Sequence, residues 1–203
     1  LELRCIHPGT SEVRALWTQI GNDKQREAVL QQADKLNGEG YGVYFAPCLR
    51  LQKKGNAASA ALLPALWIDI DGLEENRQRD LERLQAFDPP PSAIVASGGG
   101  WHGYWLLDEP LSLDEGNKQK IGRVMQGLFT ALGGDDGYVK SVASVMRLPG
   151  SINTKPDRNG AVVQITDWHP DRRYPLGCFD WLEVQPRPQV ERIGGLEVVT
   201  LNG

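Results

Sequence analysis

A mixed α+β sandwich is what this sequence predicts. Short β-prone runs bounded by Gly and Pro alternate with stretches whose apolar residues recur at helical spacing, and no regular βαβ repeat organises them. From Lys24 to Leu36, helix formers carry Val29, Ala33 and Leu36 at that spacing, and Gly38-Glu39-Gly40 ends the run. Val43-Tyr44-Phe45 reads as a short strand, and Lys53-Lys54-Gly55-Asn56 as a solvated loop. Leu66 to Ile70 is apolar and β-prone, the pattern of a central strand ending in acid. Glu74 to Phe87 predicts an amphipathic helix with Leu81 and Leu84 inward, stopped by Pro89-Pro90-Pro91 because proline cannot donate to the helical ladder. Ala93 to Ala96 and Gly103 to Leu107 predict two strands flanking a glycine loop. Leu113 to Leu132 predicts the longest helix, with Asp114-Glu115 at the end where the helix dipole favours negative charge. Ala161 to Ile165 predicts a late strand, and from Pro186 onward the chain reads as a linker or a terminal strand. Residues 1–185 are therefore expected to form one functional unit, followed by the segment 186–203.

A length of 203 residues suits one domain with a substantial core. Hydrophobic residues at 40% and charged residues at 24% are ordinary for a soluble globular chain. No apolar run approaches the roughly 20 residues needed to span a bilayer, and no signal-peptide pattern opens the chain, so a cytoplasmic protein with no membrane partner is expected. The first residue is Leu1 rather than Met, which predicts a piece excised from a longer polypeptide. Cys5, Cys48 and Cys178 lie far apart with no C-x-x-C pair, which argues against structural zinc and against a disulfide framework. The net charge of −4 speaks against a broad basic face for phosphates, although a cluster of metal-binding carboxylates would make the same balance acidic.

Three segments carry chemistry. In Trp67-Ile68-Asp69-Ile70-Asp71-Gly72, side chains alternate faces along a strand, so Asp69 and Asp71 project from one face about 7 Å apart. Two hard carboxylates so arranged can hold Mg²⁺ or Mn²⁺ jointly. A strand merely ending at a polar turn would look the same. In Ser97-Gly98-Gly99-Gly100-Trp101-His102, consecutive glycines remove side chains where a ligand's phosphates could approach the backbone, and His102 can donate to a phosphate oxygen. A flexible hairpin is the blander reading. The segment is neither a Walker loop nor a dinucleotide fingerprint. In Arg147-Leu148-Pro149-Gly150-Ser151-Ile152-Asn153-Thr154-Lys155, Arg147 and Lys155 bracket a Pro-Gly turn, with Ser151 and Asn153 as further donors. Such a turn can present cations to a triphosphate, or can be an ordinary surface turn. Upstream, Gly133-Gly134-Asp135-Asp136-Gly137 adds another carboxylate pair.

In this order the segments resemble the archaeo-eukaryotic primase superfamily, especially the primase-polymerase domains of plasmids, phages and other mobile genetic elements. Its motifs are D-x-D or D-x-E, then a serine-glycine-histidine segment, then a third aspartate ahead of R-x-P-G-x-x-N-x-K. These match Asp69 and Asp71, Ser97 to His102 with Gly99 and Gly100 inside it, Asp136 or Asp135, and Arg147 to Lys155 with Asn153 inside it. Tyr44-Phe45 resembles the family's early strand. The resemblance spans roughly residues 41–156. Many relatives carry an aspartate and an arginine where this chain has Ser141 to Met146.

The resemblance implies an RRM-like antiparallel or mixed sheet with flanking helices, joined to an N-terminal αβ unit. It implies that Asp69, Asp71 and a third aspartate, Asp136 by its spacing to Pro149 with Asp135 beside it, bind two divalent ions, Mg²⁺ or Mn²⁺ and not zinc. It implies that Ser97, Gly99, Gly100, His102, Arg147, Asn153 and Lys155 bind the nucleotide. The activity implied is DNA-templated nucleotidyl transfer in DNA replication, by a primase or primase-polymerase taking NTPs or dNTPs on single-stranded DNA. Initiation without a primer needs a second nucleotide site, for which Arg50, Lys53 and Lys54 are the candidates, as they are for template contacts. The acidic balance adds the expectation of a helicase or other replication domain as partner.

Two other readings compete. Gly133-Gly134-Asp135-Asp136 mimics the G-G-D-[DE] turn of palm-type nucleotide cyclases, in which the turn joins two hairpin strands. A replication-initiator module could keep the fold and bind DNA without catalysis. A nickase built on two histidines flanking one apolar residue is excluded, because His7, His102 and His169 supply no such pair. Trp101, Tyr104 and Trp105 offer rings on which a base can stack, and strand alternation puts at least one of them in the core.

Overall fold

A computed structural model describes residues 1–133 and 141–184, together with the backbone of two strands beyond them. The chain opens with an antiparallel hairpin, β1 (Glu2–Ile6) and β2 (Val13–Trp17). Helix α1 (Asp23–Gly38) follows, and its first turn is closed by the Asn22 side chain, which accepts from the Gln25 amide. Strand β3 (Gly42–Phe45) then returns beside β1. The helix turns Val29, Ala33 and Leu36 onto Leu3, Cys5, Leu16 and Val43, which gives this N-terminal αβ unit a core of its own.

The larger unit begins with β4 (Leu49–Arg50) and the long β5 (Ala60–Asp71). A 3-10 turn at Glu74–Asn76 leads into α2 (Arg77–Gln85), then β6 (Ala93–Ala96) and β7 (Gly100–Ser112). Helix α3 (Glu115–Leu132) is capped at its start by the Asp114 carboxylate, which accepts from the Asn117 amide, and at its end by Gly133 in the left-handed conformation. Strands β8 (Met146–Arg147), β9 (Gln164–Trp168) and β10 (Arg173–Tyr174) and a 3-10 segment at Leu176–Leu182 complete it. Beyond lie β11 (Gln189–Ile193) and β12 (Leu196–Thr200), which pair as an antiparallel hairpin.

Two sheets result. The smaller has the order β2-β1-β3-β8, and the larger β4-β5-β7-β6-β9, with β10 parallel to the far end of β7. The larger sheet is otherwise antiparallel, and α2 and α3 pack on one of its faces. Trp105, Leu84, Met125, Leu128 and Phe179 fill the space beneath them. At Gly127 helix and 3-10 segment touch so closely that a Cβ would lie 1.8 Å from the Leu182 carbonyl oxygen. The two sheets are tied by Asn37, whose amide group brackets Ile152: Nδ2 donates to its carbonyl at 2.9 Å and Oδ1 accepts from its amide at 2.7 Å.

The expected α+β class holds, with both predicted long helices present. The 74–87 helix is shorter than its periodicity suggests, because no side chain caps it at Leu73 and the first turn winds as 3-10. The late strand runs from Gln164 to Trp168 rather than from Ala161, because Val162 is spent on an isolated bridge to Ile152. Among the described residues no helix is long and apolar enough to cross a membrane.

Candidate active site

Strand pairing assembles the site. Asp69 is registered against His102 and Asp71 against Gly100, and residues paired across a sheet point to the same face. That face is opposite to the one under α2, where a Cβ on Gly103 would meet Leu84 at 2.7 Å. Asp69, Asp71, Ser97, His102, Tyr44, Val145, Arg147 and Lys155 line one small cavity there. The two carboxylates come from β5, the histidine from β7, and the cations from the smaller sheet and the turn after it. All three chemical segments legible in the sequence thus meet at one point. The cavity holds about 30 Å³, room for roughly two water-sized groups.

His102 is 2% exposed. Burial, seconded by the nearby Arg147 charge, lowers its pKa to about 3, so the ring is neutral. Its Nδ1 lies 3.2 Å from the Tyr104 hydroxyl and its Nε2 3.5 Å from Asp69 Oδ1. Burial, and then the Asp69 charge, push the Tyr104 phenol well above its ordinary pKa, so it keeps its proton. A lone pair aimed at a carboxylate is repelled, so Nε2 is the nitrogen that carries hydrogen, and Tyr104 donates to Nδ1. The contact to Asp69 is too long for a strong hydrogen bond, which leaves Nε2–H able to donate into the cavity.

The glycine loop serves the site differently from the sequence reading. Ser97 Oγ accepts from the amides of Gly99 at 3.4 Å and Gly100 at 3.0 Å, so the loop closes on its own serine instead of turning these amides out to phosphates. Gly100 sits so close to β5 that a Cβ would fall 1.9 Å from the Ile70 carbonyl oxygen. Gly98 has φ +84, which favours glycine. Only Gly99 opens toward the site, where a Cβ would come 3.0 Å from Arg158 Cζ and 3.1 Å from Asp71 Oδ1.

Arg147 is 7% exposed and stacks over Tyr44, its Cζ 4.8 Å from the ring centroid. Asn153 is buried and does not line the cavity: its Nδ2 donates to the Ser97 carbonyl at 2.9 Å, and its Oδ1 accepts from the Lys155 amide at 3.2 Å. It locks the second and third segments together. Arg158, beside Gly99 and Asp71, and Tyr44, under Arg147, belong to the neighbourhood although the sequence motifs did not single out these roles. An arginine after Lys155-Pro156-Asp157 was the signal available for the first.

Arg50 does not join the site. Its side chain is 1% exposed, Nε meets Glu2 Oε2 at 3.1 Å, and its other nitrogens donate to the Val142 and Ala143 carbonyls. A guanidinium so committed steadies the approach to Val145 and Arg147 and cannot meet a template. Lys53 and Lys54 are exposed in the loop before β5 and do not line the cavity. Asp135 and Asp136 lie outside the described residues. Among the described residues no group of three His, Cys, Asp or Glu is gathered for a metal. The described donors are the hard oxygens of Asp69 and Asp71, a pair that fits Mg²⁺ or Mn²⁺. Cys5 and Cys48 are buried, with thiols raised to about 11 and about 12, and Cys178 is exposed, so no disulfide forms among them.

No curated protein matches the chain by sequence. Solved structures match its fold. The AEP domain of the cyanophage S-2L primase-polymerase superposes with a TM-score of 0.66 at 20% identity, covering 90% of this chain and 88% of that one. The catalytic domain of primase RepB′, solved in complex with initiator DNA, gives a TM-score of 0.61 at 14% identity over 89% of this chain and 84% of that one. The fold is therefore that of an archaeo-eukaryotic primase catalytic domain. The profile of the RepB DNA-primase N-terminal domain matches residues 15–184. This chain belongs to the RepB DNA-primase N-terminal domain family.

Proposed function

We propose that residues 1–185 form the catalytic unit of a DNA primase or primase-polymerase that joins NTPs or dNTPs on single-stranded DNA. What carries the reading is the convergence of Asp69 and Asp71 with His102, Arg147 and Lys155 on one cavity from three separate segments. Asp69 and Asp71, with Asp136 or Asp135 as third ligand, would hold two divalent ions, which would supply activation of the attacking 3′-hydroxyl and charge compensation for the leaving pyrophosphate. His102 donates Nε2–H to a phosphate oxygen, in an orientation kept by Tyr104. Arg147, buried and charged, and Lys155 counter the triphosphate, and Arg158 approaches it past Gly99. Substrate and template are proposed by analogy with the primase RepB′ solved with initiator DNA. The acidic balance favours a helicase or other replication domain that supplies DNA affinity, and the setting is cytoplasmic replication of a mobile genetic element.

The palm-cyclase reading loses support because α3 runs to Leu132 directly before the Gly-Gly-Asp-Asp segment, where that fold needs a strand. The test is synthesis on single-stranded DNA with each nucleotide set in Mg²⁺ or Mn²⁺, with and without primer. Template-dependent products that vanish in Asp69→Ala are expected, and products without primer make the chain a primase. A cyclic dinucleotide formed without template, or full DNA binding with no product under any condition, overturns the reading.

A further inference from the structure

The open face of the larger sheet does not end at the polar cavity. Across β9, β6, β7 and β5, Ile165, Val95, His102 and Asp69 form one row by their pairing, and Trp168, Ala93 and Tyr104 lie in the next. The second row borders a recess of about 240 Å³, walled by Phe45, Tyr104 and Pro149 and floored by Val95, Ile165 and Trp168. The Phe45 and Tyr104 rings are 6.0 Å apart and inclined by only 31°. Ile165 and Trp168, at 50% and 56% exposure, lie open on this edge. Large apolar side chains left open on the same sheet face as the catalytic groups need an occupant.

We propose that this recess takes the base of the nucleotide whose triphosphate lies on His102, Arg147 and Lys155. The inference rests on the nucleotidyl-transfer reading above and adds the second half of its substrate site. Tyr104 joins the two halves, since its hydroxyl holds His102 while its ring faces the recess. Trp168 lies two strands across and two residues along from His102, about 12 Å, within the reach of one extended nucleoside triphosphate. None of the described residues lining the recess carries a charge, so it cannot neutralise the phosphates of a DNA strand, and its size suits a single base. With almost no polar side chain to read base edges, it holds all four bases by stacking.

Titration calorimetry in the presence of Mg²⁺ or Mn²⁺ tests this, comparing the four dNTPs and four NTPs with inorganic tripolyphosphate. Stacking on aromatic rings is expected to make nucleotides bind roughly ten- to a hundredfold more tightly than tripolyphosphate, about equally for each base. Trp168→Ala should remove most of that gap while leaving tripolyphosphate affinity unchanged, and Trp168→Phe should retain most of it. Because Trp168 is exposed on an edge strand, neither variant threatens folding. Equal binding of nucleotides and tripolyphosphate, or a gap that survives Trp168→Ala, overturns the base recess while leaving the triphosphate reading standing. Trp168→Ala that weakens capture of a single-stranded oligonucleotide but not of nucleotides also overturns it and gives the recess to the template. Tripolyphosphate and nucleotides both failing to bind the unmodified chain overturns the triphosphate reading, and this one with it.

Discussion

The Tyr104 hydroxyl, 3.2 Å from His102 Nδ1, decides which edge of the imidazole faces the carboxylates. Tyr104→Phe removes that bond and leaves a buried ring nitrogen unpaired, so the ring loses the contact that fixes its orientation. A hydrogen bond of this kind contributes about 1 kcal/mol. The expected result is a nucleotide KM about fivefold higher with kcat much less affected, checked by steady-state primer extension. An unchanged KM would show that the hydroxyl does not position the histidine.

Stability should also depend on pH through His102. In the unfolded chain the ring protonates near 6.5, whereas in the fold its pKa is about 3. Between those values the unfolded state binds the extra proton, so stability is full above the upper value and is lost as pH falls toward the lower one. From pH 7 to pH 5 the loss is about 2 kcal/mol. Urea unfolding at the two pH values measures it, and His102→Gln should lose less by about that amount.

Arg50 is expected to matter for folding and not for template binding. Arg50→Ala takes from the buried Glu2 carboxylate one of its two guanidinium partners, leaving Arg4 on Oε1, and should cost about 1.5–3 kcal/mol in urea unfolding. The double variant with Glu2→Ala should cost less than the sum of the two single ones. Affinity for single-stranded DNA, measured where the variant is still folded, should be unchanged.

Two glycines make a matched pair. Gly100→Ala forces β5 away from β7 at Asp71, and should abolish synthesis and lower the melting temperature. Gly122→Ala, in the middle of α3 with nothing within 4 Å of the new methyl, should stabilise by roughly 0.5–1 kcal/mol and leave synthesis intact. Thermal unfolding and primer extension on both variants distinguish steric from helical effects.

The parts legible in the sequence were those set by local periodicity. Alternation alone put Asp69 and Asp71 on one face, and the 3.6-residue spacing found α1 and α3 nearly to their ends. What escaped depends on distant partners. Arg50 beside Lys53 and Lys54 looks like a solvated basic loop, because its anion, Glu2, is 48 residues away. The three glycines look like one phosphate loop, yet 98 and 100 answer to Ala161 and Ile70, contacts only the folded sheet creates. Asn153 reads as a ligand-facing donor and turns out to be a tie to Ser97, and Arg158 enters the site from outside the recognised motif.

The pairing of Asp69 with His102 also sets which changes of length the molecule can survive. A strand has two sides, so one residue inserted or deleted within β5 or β7 would send Asp69, Asp71 or His102 through the sheet to lie beneath the helices. Two residues would return it to the correct side but one row out of step with Arg147. Asp69, Asp71 and His102 are therefore bound to a strict odd-even rule, and the β6–β7 loop is held by Ser97 and Asn153, whereas the loop joining β4 to β5 lies outside the cavity. Length variation in this domain is expected to gather in the loop before β5 and to avoid the strand interiors.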